Sequence, residues 1–217
     1  VTATDVDGDG ITYSISGGSD QSKFSIDGSS GALTFSSAPD YENPTDGGTN
    51  NTYVVEVTAS DGSLTDAMTI TATVTDANET PTDITGTLSI AESASSGASA
   101  GTLSAVDPDG DACTFSETGA GTGASIFEIH SSTGAVTLSS GQSLDYETTT
   151  SYTYTVQISD GSLTYSEQFT ISVTDVNEAP SITSSNSANV AENTTSVITV
   201  TATDVDGDGI TYSISGG

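Results

Sequence analysis

The sequence holds no arginine, one lysine (Lys23), no tryptophan, one cysteine (Cys113), one histidine (His130) and five prolines in 217 residues. With a single basic side chain against 30 carboxylates, the formal charge is −29. Nucleic acid is thereby excluded as a partner, because binding it takes Lys and Arg to displace counterions from phosphates. An anionic membrane surface is excluded on the same ground. One cysteine permits no intrachain disulfide, so stability must come from a packed core or from bound ions, and Cys113 is read as a small apolar side chain rather than a reactive thiol. No segment approaches the roughly 20 apolar residues that cross a bilayer, so no membrane insertion is expected. Paired carboxylates can hydrolyse glycosides, but there is no Trp or Arg to hold a sugar and no G-x-S-x-G context for a nucleophile, so the chain is expected not to be an enzyme. His130 has no partners for metal or proton transfer and is expected at the surface.

What is present is a repeat. The block Ala3-Thr4-Asp5-Val6-Asp7-Gly8-Asp9 returns as Ala105-Val106-Asp107-Pro108-Asp109-Gly110-Asp111 and again as Ala202-Thr203-Asp204-Val205-Asp206-Gly207-Asp208. Between the copies other landmarks keep their order. Phe24-Ser25-Ile26 followed by Gly31-Ala32-Leu33 matches Phe127-Glu128-Ile129 followed by Gly134-Ala135-Val136, and both predict hairpins. Asp40-Tyr41-Glu42 matches Asp145-Tyr146-Glu147, Ser60-Asp61-Gly62 matches Ser159-Asp160-Gly161, and Asp76-Ala77-Asn78-Glu79-Thr80-Pro81 matches Asp175-Val176-Asn177-Glu178-Ala179-Pro180. Period-two alternation, as in Thr69-Ile70-Thr71-Ala72-Thr73-Val74, recurs where a helix would need a period near 3.6. A unit of about a hundred residues with short, evenly spaced strands predicts an all-β chain of antiparallel sandwiches.

At these motifs the sequence resembles the cadherin repeat, in the bacterial cadherin-like form of large secreted and surface proteins, and it shares several features with another acidic bacterial repeat. The resemblance rests on five signals in fixed order. They are an early Glu (Glu92, Glu192), the A-x-D-x-D block, Leu144-Asp145-Tyr146-Glu147, the S-D-G turn and the D-x-N-E-x-P linker. It implies tandem Ig-like Greek-key β-sandwich domains arranged end to end. Residues 1–81 would be a domain lacking its first strands, 82–180 a complete domain, and 181–217 the opening strands of a further one. The block at Val200–Gly217 repeats Val1–Gly18 after 199 positions, which predicts a window on a longer polymer with a two-unit period.

Three carboxylates in five residues are costly unless neutralised; a solvated acidic loop is the plain alternative. Their recurrence at strand ends, and the supply of oxygen ligands alone, favour a hard cation taking six to eight of them: calcium rather than zinc or copper. The EF-hand pattern fails, since its twelfth position, which needs Glu, is Ser16, Thr118 or Ser215. The cadherin resemblance implies instead that ligands from two neighbouring units meet at their junction. The first junction would draw on Asp40, Glu42, Asp76, Asn78 and Glu79, with Asp107, Asp109 and Asp160. The second would draw on Glu92, Asp145, Glu147, Asp175, Asn177 and Glu178, with Asp204 and Asp206. Asp5, Asp7 and Asp61 would form half a site at the start, Glu192 repeats the role of Glu92, and Asp9, Asp111 and Asp208 would add loop carbonyls. The expected function is a calcium-stiffened segment of an extracellular stalk, filament or adhesin at a bacterial cell surface, with neighbouring repeats as its first partners. The alternative is a calcium-dependent polysaccharide-binding or homophilic adhesion module. Because Tyr13, Tyr41, Tyr146 and Tyr212 recur in register, they are expected to pack in cores or junctions rather than to form a sugar platform.

Overall fold

In the computed structural model, residues 1–216 are described, and among them regular structure is all β apart from one 3-10 turn at Gln21–Lys23. The chain divides into two units, Val1–Glu79 and the remainder from Thr80, which are taken separately.

Unit 1 contains β1 (Thr12–Gly17), β2 (Phe24–Ile26), β3 (Leu33–Phe35), β4 (Thr52–Ser60) and β5 (Thr65–Thr73). β1, β4 and β5 form one antiparallel sheet with β4 central, and β2 and β3 form a hairpin. The alternation read from the sequence decides which side chains turn inward: Tyr53, Val55 and Val57 of β4 are buried, and Phe24 of β2 joins them. Phe24 and Phe35 stack with ring centroids 4.7 Å apart, and Tyr53 meets Phe35 edge-on at 5.2 Å. The rest of this core, including Val1, Ile15, Leu33, Phe35, Ile70, Ala72 and Val74, is only partly buried.

Unit 2 contains β6 (Asp83–Thr85), β7 (Leu88–Ala91), β8 (Ser99–Thr102), β9 (Ser104–Val106), β10 (Thr114–Glu117), β11 (Phe127–Ile129), β12 (Ala135–Leu138), β13 (Ser151–Ser159), β14 (Thr164–Thr174), β15 (Ser181–Ile182) and β16 (Ala202–Thr203). One sheet runs β10-β13-β14-β7 and the other β11-β12-β8, with β6 and β9 paired at the side. β7 is the exception to antiparallel pairing: it lies parallel to β14, with Leu88 opposite Ile171 and Ile90 opposite Val173. Between the sheets lies a core in which Val136, Leu138, Tyr154, Val156, Ile158 and Ile171 are fully buried. The predicted hairpins form in matching registers, Phe24 opposite Phe35 and Phe127 opposite Leu138. Their turns need Gly31 and Gly134, which sit at φ +69° and +67°, where a Cβ would run into the carbonyls of Val1 and Leu103 respectively.

Cys113 is half-buried against the core of unit 2, and burial, then the charges of Asp107, Asp160 and Asp111, push its thiol up. His130 is exposed. Of the four recurring tyrosines, Tyr146 packs against the core and Tyr13 is half-buried, its hydroxyl accepting the Ala3 N–H at 3.0 Å. Tyr41 and Tyr212 do not pack as expected: they are 39% and 57% exposed. For Tyr212 the reason is that residues 210–216 form no strand and nothing covers its ring among the described residues.

Candidate metal centre

The acidic motifs fold into short turns in which a carboxylate accepts the backbone N–H groups just after it. Asp5 Oδ1 accepts from Asp7 and Asp9 at 2.8 and 3.1 Å, Asp107 Oδ1 from Asp111 at 3.2 Å, and Asp204 Oδ1 from Asp208 at 3.1 Å. Asp61 Oδ1 takes the N–H groups of Ser63 and Leu64, both at 2.7 Å, and Asp160 Oδ1 those of Ser162 and Leu163 at 2.6 and 2.7 Å. The bonds from Leu64 and then Ser63 hold the Asp61 carboxyl below its usual range. These residues therefore shape their loops through Oδ1. Each S-D-G turn is an Asx turn, which explains its fixed sequence.

In unit 2 the carboxylates expected at the second junction converge. Glu92 is the fixed point: it is 8% exposed, Oε2 accepts the Tyr146 N–H at 2.6 Å, and Oε1 accepts the Val176 N–H at 2.7 Å. It thus ties the Asp145-Tyr146-Glu147 loop to the segment leaving β14. Oxygens of Glu92, Asp145 and Glu147 lie within 4.8 Å of one another, and so do oxygens of Glu147, Asp175 and Asp206. Asp206 enters from the third acidic block, where its Oδ2 accepts the Glu178 N–H at 2.8 Å. Glu92, Asp145, Glu147, Glu178 and Val205 line one open cleft of about 480 Å³.

No cation-bearing side chain balances this group, and the electrostatics record it. Burial, then the charges of Asp206 and Glu92, raise the Asp175 carboxyl; burial, then Glu92, Asp206 and Glu147, raise Glu178. The N–H of Glu147 pulls its own carboxyl down, yet burial and the charges of Glu92, Asp206 and Asp175 outweigh it and the net shift is upward. Asp206 Oδ1 and Glu178 Oε2 are buried with no hydrogen-bond partner. Two ligands on opposite sides of a calcium ion, each about 2.3–2.6 Å from it, stand no more than about 5 Å apart, so oxygens this close suit one shared hard cation.

The remaining expected residues are described within each unit. Asp204 is half-buried in its own loop, the Asn177 side-chain amide donates to Glu178 O at 2.9 Å, and Glu192 is exposed. In unit 1, Asp40 Oδ1 accepts the N–H groups of Glu42 and Asn43 at 3.1 and 3.0 Å. Asp76, Asn78 and Glu79 are exposed, and the Asn78 amide donates to Glu79 O at 3.1 Å, as its counterpart does. Asp5 and Asp61 line one cleft of about 490 Å³ together with Asp66, a residue absent from the sequence expectation, while Asp7 is exposed beside it. In unit 2, Asp107 and Asp109 are half-buried, and Asp107 Oδ2 is buried without a hydrogen bond.

Two buried acids had no sequence signal. Asp20, 3% exposed, accepts the N–H groups of Gly47 and Val54 at 2.6 and 2.7 Å, and Asp46, 4% exposed, accepts those of Gly48, Asn50 and Asn51. Both hold the loop between β3 and β4, and neither belongs to a repeated motif.

The family model of the cadherin domain matches residues 1–75 and 87–174. Human Protocadherin Fat 1 is 37% identical over 158 residues, which is 69% of this chain and 3% of that protein, so the chain spans a small part of the length of that relative. Domains EC22-24 of mouse Cadherin-23 match with a TM-score of 0.60 at 26% identity, covering 90% of this chain and 65% of that one. Protocadherin gammaB7 EC3-6, solved as a cis-dimer, matches with a TM-score of 0.57 at 28% identity, over 90% of this chain and 48% of that one. With a complete sandwich, a partial one and the acidic motifs in family order, this chain belongs to the cadherin domain family.

Proposed function

We propose that the chain is a calcium-stiffened spacer in a long extracellular stalk or adhesin, built from the domains 1–81, 82–180 and 181–217 and held by ions where domains meet. The observation that carries this is the convergence of Glu92, Asp145, Glu147, Asp175 and Asp206 without a balancing cation, with Asp206 Oδ1 and Glu178 Oε2 buried and unpartnered. Two unit charges about 4 Å apart repel by roughly 4 kcal/mol at an effective dielectric of about 20, so an ion-free cluster favours loosening and an ion-loaded one favours closure. Glu92, Asp145, Glu147, Asp175, Glu178 and Asp206 would hold calcium, with Asn177 and Asp204 in support; the same chemistry is assigned to Asp40, Glu42, Asp76, Asn78, Glu79, Asp107, Asp109 and Asp160, and to Asp5, Asp7 and Asp61. The bacterial cell-surface setting rests on the sequence resemblance alone. Extracellular calcium is abundant enough to load sites of modest affinity.

Calorimetric titration with calcium tests the assignment. Asp206→Asn together with Glu147→Gln is expected to remove the binding assigned to 175–206 while leaving the thermal transition of unit 1 unchanged. Equal calcium uptake by variant and parent would sink the assignment. A second reading, homophilic adhesion, is favoured by the match to a protocadherin solved as a cis-dimer.

A further inference from the structure

We propose that Asp27-Gly28, in the turn between β2 and β3, is a site of spontaneous covalent modification, at which the main chain reroutes through the aspartate side chain to give isoaspartate. In this step the Gly28 nitrogen loses its proton and bonds to Asp27 Cγ, while the carboxyl group gives up one oxygen as water, leaving a five-membered succinimide ring. Water then adds to either ring carbonyl. Breaking one C–N bond restores aspartate; breaking the other leaves the chain running through Cβ and Cγ. Nothing is oxidised or reduced, and the water released is regained. Glycine in second place presents no Cβ to crowd the attack.

Asp27, Asp61 and Asp160 all precede glycine and offer the same electrophile. Asp27 Oδ1 accepts the N–H groups of Ser29 and Ser30 at 3.0 and 2.7 Å, just as Asp61 Oδ1 and Asp160 Oδ1 accept those two and three residues further on. Two donors on one oxygen stabilise the charge that gathers there as nitrogen attacks, in the manner of an oxyanion hole. What differs is the nucleophile. The Gly62 N–H donates to Ser60 Oγ and the Gly161 N–H to Ser159 Oγ, both at 3.1 Å. The electron pair left when such a proton departs points at the serine oxygen instead of at Cγ. Residue 26 is isoleucine, with no hydroxyl, and the Gly28 N–H has no acceptor among the described residues. The N–H groups of Gly47 and Gly110 are also taken, by Asp20 Oδ1 at 2.6 Å and Asp107 O at 3.2 Å. Asp7, Asp9, Asp206 and Asp208 precede glycine too, but among the described residues none has two N–H donors on one oxygen.

The site is open to water by virtue of the fold itself. Asp27, Gly28, Ser29 and Ser30 are exposed, and so are His130, Ser131, Ser132 and Thr133, which make the same turn in the complete sandwich of unit 2. There His130-Ser131 replaces Asp-Gly, so the reaction has no counterpart in that turn. In unit 1 it strikes a junction of hydrogen bonds: the Asp27 N–H donates to Ala32 O at 3.0 Å, and Asp27 O accepts the Gly31 N–H at 2.9 Å. An extra backbone atom at position 27 puts these bonds out of register and removes the acceptor of Ser29 and Ser30. The hairpin that stacks Phe24 on Phe35 then frays from its turn.

The test is peptide mapping of the 217-residue protein after prolonged storage in mild acid, where the carboxyl group can release water. Isoaspartate is located by mass spectrometry with electron-transfer fragmentation, in calcium and in chelator. The expected result in both is isoaspartate at position 27 exceeding that at 61 and 160 by about tenfold or more. Asp27→Glu, which cannot close a five-membered ring, should abolish the signal there. Ser60→Ala should bring position 61 to the level of position 27, and Ser159→Ala should do the same for 160 in the other unit. In urea all three positions should react alike, since the fold no longer directs their N–H groups. Position 27 reacting no faster than 61 and 160 in the folded protein, silence of both serine variants, or a preference for 27 that survives urea would each overturn the proposal.

Discussion

Thr12–Gly17 and Thr211–Gly216 are the same six residues, yet the first is strand β1 and the second forms no strand. Ile15 packs half-buried on the core of unit 1, while Ile214 is 98% exposed. Both copies keep the local Asx turn and the hydrogen bond to the tyrosine hydroxyl. The turn depends on residues within five positions, whereas the strand depends on β4, which lies about forty residues further along. Strand preference in this chain is thus a property of the neighbour that receives the strand, not of the hexapeptide.

The largest expected effect comes from making β1 resemble its copy by removing what receives it. Val55 of β4 is fully buried, and Val55→Asp should destabilise unit 1 by more than about 4 kcal/mol through an unpaired buried charge. Calorimetry should then show the transition of unit 1 lost and that of unit 2 kept. Next, Phe127→Ala should cost unit 2 about 3–5 kcal/mol, and Phe24→Ala less in unit 1, because the Phe35 ring stacked on Phe24 is only partly buried; equal losses would mean that the two cores are equally well packed. Asp20→Ala should cost about 1–3 kcal/mol, because the N–H groups of Gly47 and Val54 lose their charged acceptor. The bond from Val54 outweighs burial, and with Gly47, Ser19 and Lys23 holds the Asp20 carboxyl below the usual carboxylate range. Its contribution is therefore complete above about pH 4 and disappears as pH falls through the depressed folded value, so D20A should flatten the acid limb of unit 1 in a pH-dependent melt. The smallest effect sharpens the comparison most: Ile15→Ala should cost roughly 1–2 kcal/mol and Ile214→Ala within about 0.5, although the sequence around them is identical.

Much of the architecture was readable from the chain because its signals are local. The Gly31 and Gly134 hairpins, the Asp61 and Asp160 turns and the alternation of Tyr53, Val55 and Val57 each depend on a few adjacent residues. The cluster of Glu92, Glu147, Asp175 and Asp206 was readable through recurrence, since the family motif gathers residues that lie far apart in sequence. Asp20 and Asp46 were not, because what makes them structural is a set of backbone N–H groups elsewhere in the loop, and an isolated Asp in a Ser- and Gly-rich stretch gives no sign of that.

The parallel pairing of β7 with β14 has a mechanical consequence. Tension along the chain draws β7 toward its N-terminal side and β14 toward its C-terminal side, so neighbouring strands pointing the same way are pulled in opposite directions along their length. The rungs from Leu88↔Ile171 to Ala91↔Thr174 are then loaded together in shear rather than opened one after another. An antiparallel pair at that edge would peel like a zipper from its free end; this one must slide as a block.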